Sequence, residues 1–196
     1  MTRALFAALT AAAALALTAC QSEAPETANA DPAVTNEIDV ANDATKAPQQ
    51  FAFAGADGTA LGSVTVTEDA SGLMLAVSAT GMPVGTHGIH LHDKGLCEGP
   101  KFESAGAHWN PQAKQHGRDN PAGSHMGDLV NLVVNADGSA KTNFPIAGAM
   151  MASGAMMLAD ADGTALVVHA KPDDYKTDPS GASGDRIACA VIAAAK

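Results

Sequence analysis

The seven histidines of the chain are its most informative residues, because their spacing can place several imidazole rings around metal ions. They occur at positions 87, 90, 92, 108, 116, 125 and 169. His90 and His92 alternate in a run with strand character, so both rings leave the same face of a strand. Two imidazoles held on one face form a rigid pair suited to copper or zinc.

A second set of candidate ligands lies in a long polar stretch. His108, His116 and His125 are followed by Asp128. Three histidines and one carboxylate make a closed tetrahedral zinc set. His169 ends a later strand-like run and can return to the first pair. A lone histidine is more often a surface or structural residue than a ligand, so it is the combined spacing that indicates metal binding.

These ligands must be positioned by short strands, because the chain beyond residue 50 has the period of strands and not of helices. Apolar and polar residues alternate across residues 60–79, as half-buried strands require. Turns rich in Gly, Asp and Ser separate the runs. Residues 86–92 are predicted as one strand, and residues 156–158 as another.

Two long loops interrupt the predicted strands. Residues 93–127 and 170–185 are rich in Gly, Pro and charged residues and show no period. A loop of that length in a compact domain is usually functional. Eight or so strands with two such loops predict an all-β domain over residues 51–196. Its expected architecture is an antiparallel eight-stranded Greek-key barrel or sandwich.

The N-terminus has the features of an export signal at residues 1–19. Arg3 gives a basic start, an apolar run follows, and the run ends in LTAC at residues 17–20. This ending resembles the lipobox of bacterial lipoproteins, in which the chain is cut before the cysteine and the cysteine, here Cys20, is acylated. An ordinary secretory signal is the alternative. Residues 20–50 are polar and acidic with few large apolar side chains, which predicts a disordered tether.

Export also accounts for the cysteine usage. If Cys20 carries lipid, Cys97 and Cys189 remain as an even pair, and a disulfide between them persists in an oxidising compartment. We therefore expect a protein of the bacterial cell envelope, periplasmic and attached to a membrane through Cys20. Gln21 rather than an aspartate follows that cysteine, which favours the outer membrane.

The formal net charge of −10 excludes one class of partner. A nucleic-acid-binding domain would need a basic face, so we expect no nucleic-acid partner. A small anionic substrate is still compatible with an acidic chain, because the local potential at a site matters more than the net charge.

Six segments, in order along the chain, resemble the motifs of copper/zinc superoxide dismutases. They are HGIHLH at 87–92, GAHWNP at 106–111, QHG at 115–117, HMGDL at 125–129, LVVH at 166–169 and GDRIAC at 184–189. The resemblance covers about residues 51–195. Trp109 replaces the usual phenylalanine and Ala190 the usual glycine, and neither departure affects a ligand position.

The resemblance implies both metals and their ligands. Copper is expected on His90, His92, His108 and His169, and zinc on His108, His116, His125 and Asp128. His108 would then bridge the two metals as an imidazolate. His87 matches a histidine that is not a ligand. Asp173 matches an outer carboxylate that accepts a hydrogen bond from one histidine of each metal, and such partners orient ligands.

The activity implied by the resemblance is enzymatic dismutation of superoxide to oxygen and hydrogen peroxide. We expect Arg186, close in sequence to Cys189, to guide the superoxide anion to copper, because its guanidinium stays charged. Lys101, Lys171 and Lys176 are weaker candidates for the same task. A surface arginine paired with a neighbouring acid is the alternative.

Two other functions compete with this one. A non-catalytic envelope copper or zinc carrier is suggested by the methionine pairs at 150–151 and 156–157, since thioethers favour Cu(I). Packing by an adaptable side chain is the simpler explanation of those methionines. A catalytically inactive relative would be favoured by a missing copper ligand, and none is missing. Subunit contacts differ between branches of the resembling family, so a monomer and a homodimer both remain open.

Overall fold

Nine strands run through residues 46–196, the part of the chain that the computed structural model describes. They are β1 Lys46–Gly55, β2 Ala60–Asp69, β3 Gly72–Ala79, β4 Gly85–His87, β5 Ile89–His92, β6 Leu132–Val134, β7 Ala140–Ala147, β8 Thr164–His169 and β9 Arg186–Ala193. One 3-10 turn, Glu103–Ala105, lies in the loop after β5. No helix in the described range is long and apolar enough to cross a membrane.

The strands confirm the all-β antiparallel prediction. Seven of them form one sheet in the order β5-β8-β9-β1-β2-β3-β7, and β4 pairs with β6 separately. Some strands that are neighbours in the sheet are distant in sequence, such as β3 and β7. Long connections between such neighbours are typical of a Greek key. The large sheet curls into a half-barrel around the larger of two hydrophobic clusters. Val64 and Leu75 are completely buried there, as the period-two pattern predicts.

The prediction of one strand over residues 86–92 is wrong, because the run breaks at Gly88. β4 ends before this glycine and pairs with β6, whereas β5 begins after it and pairs with β8. Gly88 N–H donates to the Lys171 carbonyl at 2.8 Å, and the Gly88 carbonyl accepts from His169 N–H at 2.8 Å. A Cβ on Gly88 would lie only 2.9 Å from Ser183. The break gives nine strands instead of eight.

Two further boundaries differ from expectation. Residues 156–158 form no strand and pair only with the nearby segment around Met150, through an isolated bridge between Met150 and Met157. The folded domain begins before residue 51, since β1 starts at Lys46 and Gln49 pairs with Val66 of β2. Backbone pairing with β2 needs no apolar side chains, so the polar composition of residues 46–50 hid this extension. The predicted signal, Cys20 and the tether up to residue 45 lie outside the described residues.

Candidate metal centre

The first ligand group forms where strands β5 and β8 pair. His90 and His92 lie on β5, and His169 ends β8. His108 reaches them from the long loop through an isolated bridge to His92. All four rings are buried, and one nitrogen from each lies within 4.8 Å of the others. The structure therefore brings together all four residues for which the sequence predicts copper binding.

The second ligand group contains His108, His116, His125 and Asp128, so the two groups share His108. Asp128 Oδ1 lies 2.9 Å from Nδ1 of His108, 3.0 Å from Nδ1 of His116 and 3.1 Å from Nδ1 of His125. Three ring nitrogens and one carboxylate oxygen that converge on one point have the donor set of a tetrahedral zinc site.

Backbone hydrogen bonds hold the long loop against β5, which explains how distant residues meet. Trp109 N–H donates to the Leu91 carbonyl at 2.8 Å, and Leu91 N–H donates to the Gly127 carbonyl at 2.9 Å. A Cβ on Gly127 would lie 2.6 Å from the Leu91 oxygen, so this close approach requires glycine. His108 and Asp128, which neighbour these anchored residues, are thereby presented to both groups.

Four buried ring nitrogens have no hydrogen-bond partner within residues 46–196: His90 Nδ1, His92 Nε2, His108 Nε2 and His169 Nε2. Each belongs to a different member of the first ligand group. An unpaired buried polar atom costs about 1–3 kcal/mol. Four such atoms in one place indicate a shared partner that is not a protein group, and a metal ion fits this requirement.

The remaining hydrogen bonds decide which nitrogen of each ring carries the lone pair. His92 Nδ1 lies 3.0 Å from the Gly106 carbonyl, and His169 Nδ1 lies 3.2 Å from the Gly184 carbonyl. Carbonyl oxygens only accept, so both Nδ1 atoms carry hydrogen and both lone pairs are on Nε2. His90 is reversed, because its Nε2 lies 2.8 Å from a carboxylate oxygen of Asp173 and its Nδ1 is unpaired.

Burial keeps the first group neutral. It lowers the pKa of His90 and lowers the pKa of His92 well below the usual value. It also lowers the pKa of His108 to about 4 and the pKa of His169 to about 3. A neutral imidazole has the lone pair that a metal needs, so these rings need not release a proton to bind one at pH 7.

Asp173 connects the two ligand groups. Its two oxygens lie 2.8 Å from His90 Nε2 and 3.0 Å from His116 Nε2. Burial acts to raise the pKa of Asp173, but the hydrogen bonds from His116 and His90 outweigh burial and lower it. Burial acts to lower the pKa of His116, and hydrogen bonds to Asp128 and Asp173 raise it to about 9. A Cβ on Gly181, where φ is +65°, would collide with both the carboxylate and the His116 ring.

Arg186 lies beside the first ligand group. Its guanidinium donates to the Phe102 and Gly106 carbonyls, each at 2.6 Å. Gly106 O also accepts from His92, so one carbonyl connects the arginine to a predicted copper ligand. Among the described residues no carboxylate lies within 4.0 Å of Arg186, so the paired-arginine alternative is not what the structure shows.

A surface cavity of about 490 Å³ opens onto Arg186. Lys101 and Glu103 line it as well, whereas Lys171 and Lys176 are not among its lining residues. Lys101 lies 3.9 Å from Glu103, and both side chains are largely exposed. Of the three lysines considered from the sequence, only Lys101 therefore shares a cavity with the arginine.

The Cys97–Cys189 disulfide is present, as predicted, with the two Cα atoms 5.7 Å apart. It joins the long loop to β9, three residues beyond Arg186.

His87 is held by the His169 and Pro83 carbonyls, at 2.8 Å and 2.9 Å, and belongs to neither ligand group. Its position agrees with the structural role expected for it.

Two residues around Asp173 were not predicted from the sequence. The Asn131 side chain bonds the Asp173 backbone, and Tyr175 N–H donates to the Asp173 carboxylate at 2.6 Å. Asn131 lies near Asp128 in sequence and Tyr175 lies near Asp173, which is the only signal that could have indicated them. Neither residue type is a usual ligand of copper or zinc, and neither residue lies in a segment with a regular apolar pattern.

Comparison with known proteins gives consistent matches. The family model for copper/zinc superoxide dismutase matches residues 60–192. A superoxide dismutase [Cu-Zn] of Caulobacter vibrioides is 45% identical over 139 residues, which cover 69% of this chain and 80% of that protein. The superoxide dismutase-like protein YojM of Bacillus subtilis is 41% identical, and the match covers 69% of this chain and 71% of that protein.

Solved structures agree with these relatives. A SOD-like protein from Bacillus subtilis has a TM-score of 0.71 at 36% identity, and the match covers 76% of this chain and 99% of that one. A Cu/Zn superoxide dismutase from Brucella abortus has a TM-score of 0.58 at 30% identity, with coverage of 74% and 99%.

The curved antiparallel sheet and the two ligand groups that share one histidine define a class of β-barrel proteins with two adjacent metal sites. The family match and the identity to curated relatives narrow this class further. The chain belongs to the copper/zinc superoxide dismutase family.

Proposed function

We propose that this chain catalyses the dismutation of superoxide, with copper in the first ligand group and zinc in the second. Two superoxide ions and two protons give one oxygen and one hydrogen peroxide. The observation that carries this proposal is the convergence of four unpaired, buried ring nitrogens beside a second group that shares His108. Family membership supports the same reaction.

Copper in the first group supplies the one-electron redox chemistry, and the protein residues hold the ligands and handle protons. The Gly106 and Gly184 carbonyls orient His92 and His169, and Asp173 orients His90. Such partners determine the tautomer and the ring direction. The rings therefore need little rearrangement to bind the metal.

His108 is the proposed catalytic residue for proton delivery. Its Nδ1 points to the second ligand group, at 2.9 Å from Asp128, while its buried Nε2 has no partner. When Nε2 is free of metal it can hold a proton and pass it to the reduced product. Zinc in the second group would keep the ring in place through Nδ1 and would stabilise the fold of the long loop.

A turnover assay tests the function. Purified protein loaded with copper and zinc should consume superoxide, whereas the same protein loaded with zinc alone should not. A metal carrier would bind both metals in this experiment without turnover. Two of the four methionines that suggested a carrier have packing roles, because Met151 is buried in the core and Met156 packs against the core.

The proposal extends to the location of the protein. We propose a periplasmic enzyme that is attached to the outer membrane by lipid on Cys20. The LTAC sequence at 17–20 and Gln21 support this location. The Cys97–Cys189 disulfide is compatible with an oxidising compartment.

Mass spectrometry of the mature N-terminus should find Cys20 as the first residue, with acyl chains attached. A Cys20→Ser variant should lose the lipid and leave the membrane fraction. An unmodified native chain that starts at another residue would contradict the lipid anchor.

A further inference from the structure

Tyr175 lies in the second long loop, two residues after Asp173, in an unusual conformation. Its φ is +62°, in the left-handed region that side chains other than glycine rarely adopt. Its N–H donates to Asp173 Oδ1 at 2.6 Å. A backbone in this region persists only when its surroundings hold it. The contacts of Tyr175 must therefore account for its conformation.

One set of contacts joins Tyr175 to Asn131, the residue immediately before β6. The Tyr175 hydroxyl accepts from Asn131 N–H at 2.8 Å. The Asn131 side chain then clamps the backbone of Asp173: Nδ2 donates to the carbonyl at 2.9 Å, and Oδ1 accepts from N–H at 2.8 Å. The hydroxyl and the amide therefore act on the same short segment from two sides.

A second set of contacts joins Tyr175 to the loop that carries His116. The Tyr175 carbonyl accepts from Asp119 N–H at 3.0 Å. The Arg118 guanidinium carbon lies 3.9 Å from the centre of the Tyr175 ring, within the range of a cation–π interaction. The two long loops are thus joined through this tyrosine, on the side where Asp173 meets His116.

We propose that Tyr175 is a positioning residue for the metal pair. Its hydroxyl, ring and backbone hold Asp173 where its carboxylate accepts from both His90 and His116. Without this support the carboxylate moves, and the His116 ring loses its outer partner. The inference rests on the proposed zinc role of the second ligand group.

The test measures zinc retention in the full-length, zinc-loaded protein with its disulfide intact. Tyr175→Ala should speed the transfer of zinc to a chromogenic chelator by about 10-fold, the lower end of the range for loss of an outer partner of a ligand, because Tyr175 acts through Asp173. Tyr175→Phe keeps the ring over Arg118 but removes the acceptor of Asn131 N–H. Its rate of zinc transfer should therefore lie between that of the parent protein and that of Tyr175→Ala. Cobalt in the zinc position should show a changed visible spectrum in Tyr175→Ala.

Thr177→Ala is the matched control. It removes the hydrogen bond from the Thr177 hydroxyl to Asp174 within the same exposed loop and removes none of the hydrogen bonds of Tyr175. Its zinc transfer should stay within about twofold of the parent protein, with an unchanged cobalt spectrum. Equal effects of Thr177→Ala and Tyr175→Ala would overturn the inference, since Tyr175 would then only stiffen the loop. Parent-like zinc transfer in both tyrosine variants would overturn it as well.

Asp128→Ala in the same assay separates this inference from the proposed function. If the parent protein holds no zinc, or Asp128→Ala holds it as tightly as the parent, the zinc assignment fails and the role of Tyr175 fails with it. If the parent holds zinc, Asp128→Ala loses it and the tyrosine variants match the parent, only the inference about Tyr175 is overturned.

Discussion

Replacement of His90 with alanine should abolish superoxide turnover while the protein keeps its zinc. The unpaired Nδ1 of His90 belongs to the first ligand group alone, and its removal leaves three of the four converging nitrogens. The second ligand group is complete without this residue. Metal analysis of the purified variant should therefore find impaired copper binding beside full zinc, with no turnover above background.

The complementary variant is Asp128→Ala, which should lose zinc and loosen the long loop while copper still binds. Asp128 Oδ1 is the point on which three histidine Nδ1 atoms converge, and the carboxylate also accepts from the backbone N–H of Gly117 and His125. His87→Gln is a matched control, since this buried histidine belongs to neither group and should leave both metals bound. Full loading of both metals in both the His90 and the Asp128 variants would refute the ligand assignment.

Charge reversal at Arg186 should have the second large effect. The substrate is an anion, and the chain has a formal net charge of −10, so a fast enzyme needs a local region of positive potential. Arg186 supplies positive charge beside a predicted copper ligand and lines a cavity open to the surface. Superoxide dismutase is itself a known example of electrostatic steering, and the expected size of the effect is the general range for such steering.

We expect Arg186→Ala to slow turnover by about tenfold or more with unchanged metal content, and Arg186→Glu to slow it further, within the range of about 10-fold to 1,000-fold for steering. The rate of the parent enzyme should fall as salt rises, because charges are screened over about 8 Å at physiological ionic strength. This fall should flatten in both variants. Equal rates for the parent enzyme and Arg186→Glu at low salt would contradict the role of Arg186.

Arg186 also has a structural role that the experiment must separate from its charge. Its guanidinium bonds two loop carbonyls, and the loss of these bonds can shift the loop. Arg186→Lys keeps the charge and loses the paired geometry, so turnover close to that of the parent enzyme would assign the effect to charge. Glu103→Gln removes an acid from the same cavity and should raise the rate at low salt.

The sequence alone determined the features that depend on short-range spacing. The alternation of His90 and His92 on one strand places both rings in one ligand group, because successive side chains of a strand point to opposite faces. The period-two pattern around Val64 and Leu75 identified the buried face of the sheet. The order of the six motifs indicated the family, which the comparisons show.

Only the tertiary structure decided the features that depend on the path of the loops. The contacts of Asn131 with Asp173 span 42 residues, and those of Arg186 with Gly106 span 80, across loops without any period. The break at Gly88 depends on the approach of Lys171 and Ser183 from the second loop, which no local pattern encodes. The nitrogen that each histidine leaves unpaired depends on which carbonyl or carboxylate lies behind the ring. Most of these contacts have a backbone N–H or C=O group on one side, and every residue except proline carries both groups, so the spacing of residue types does not identify the partner before the chain is folded.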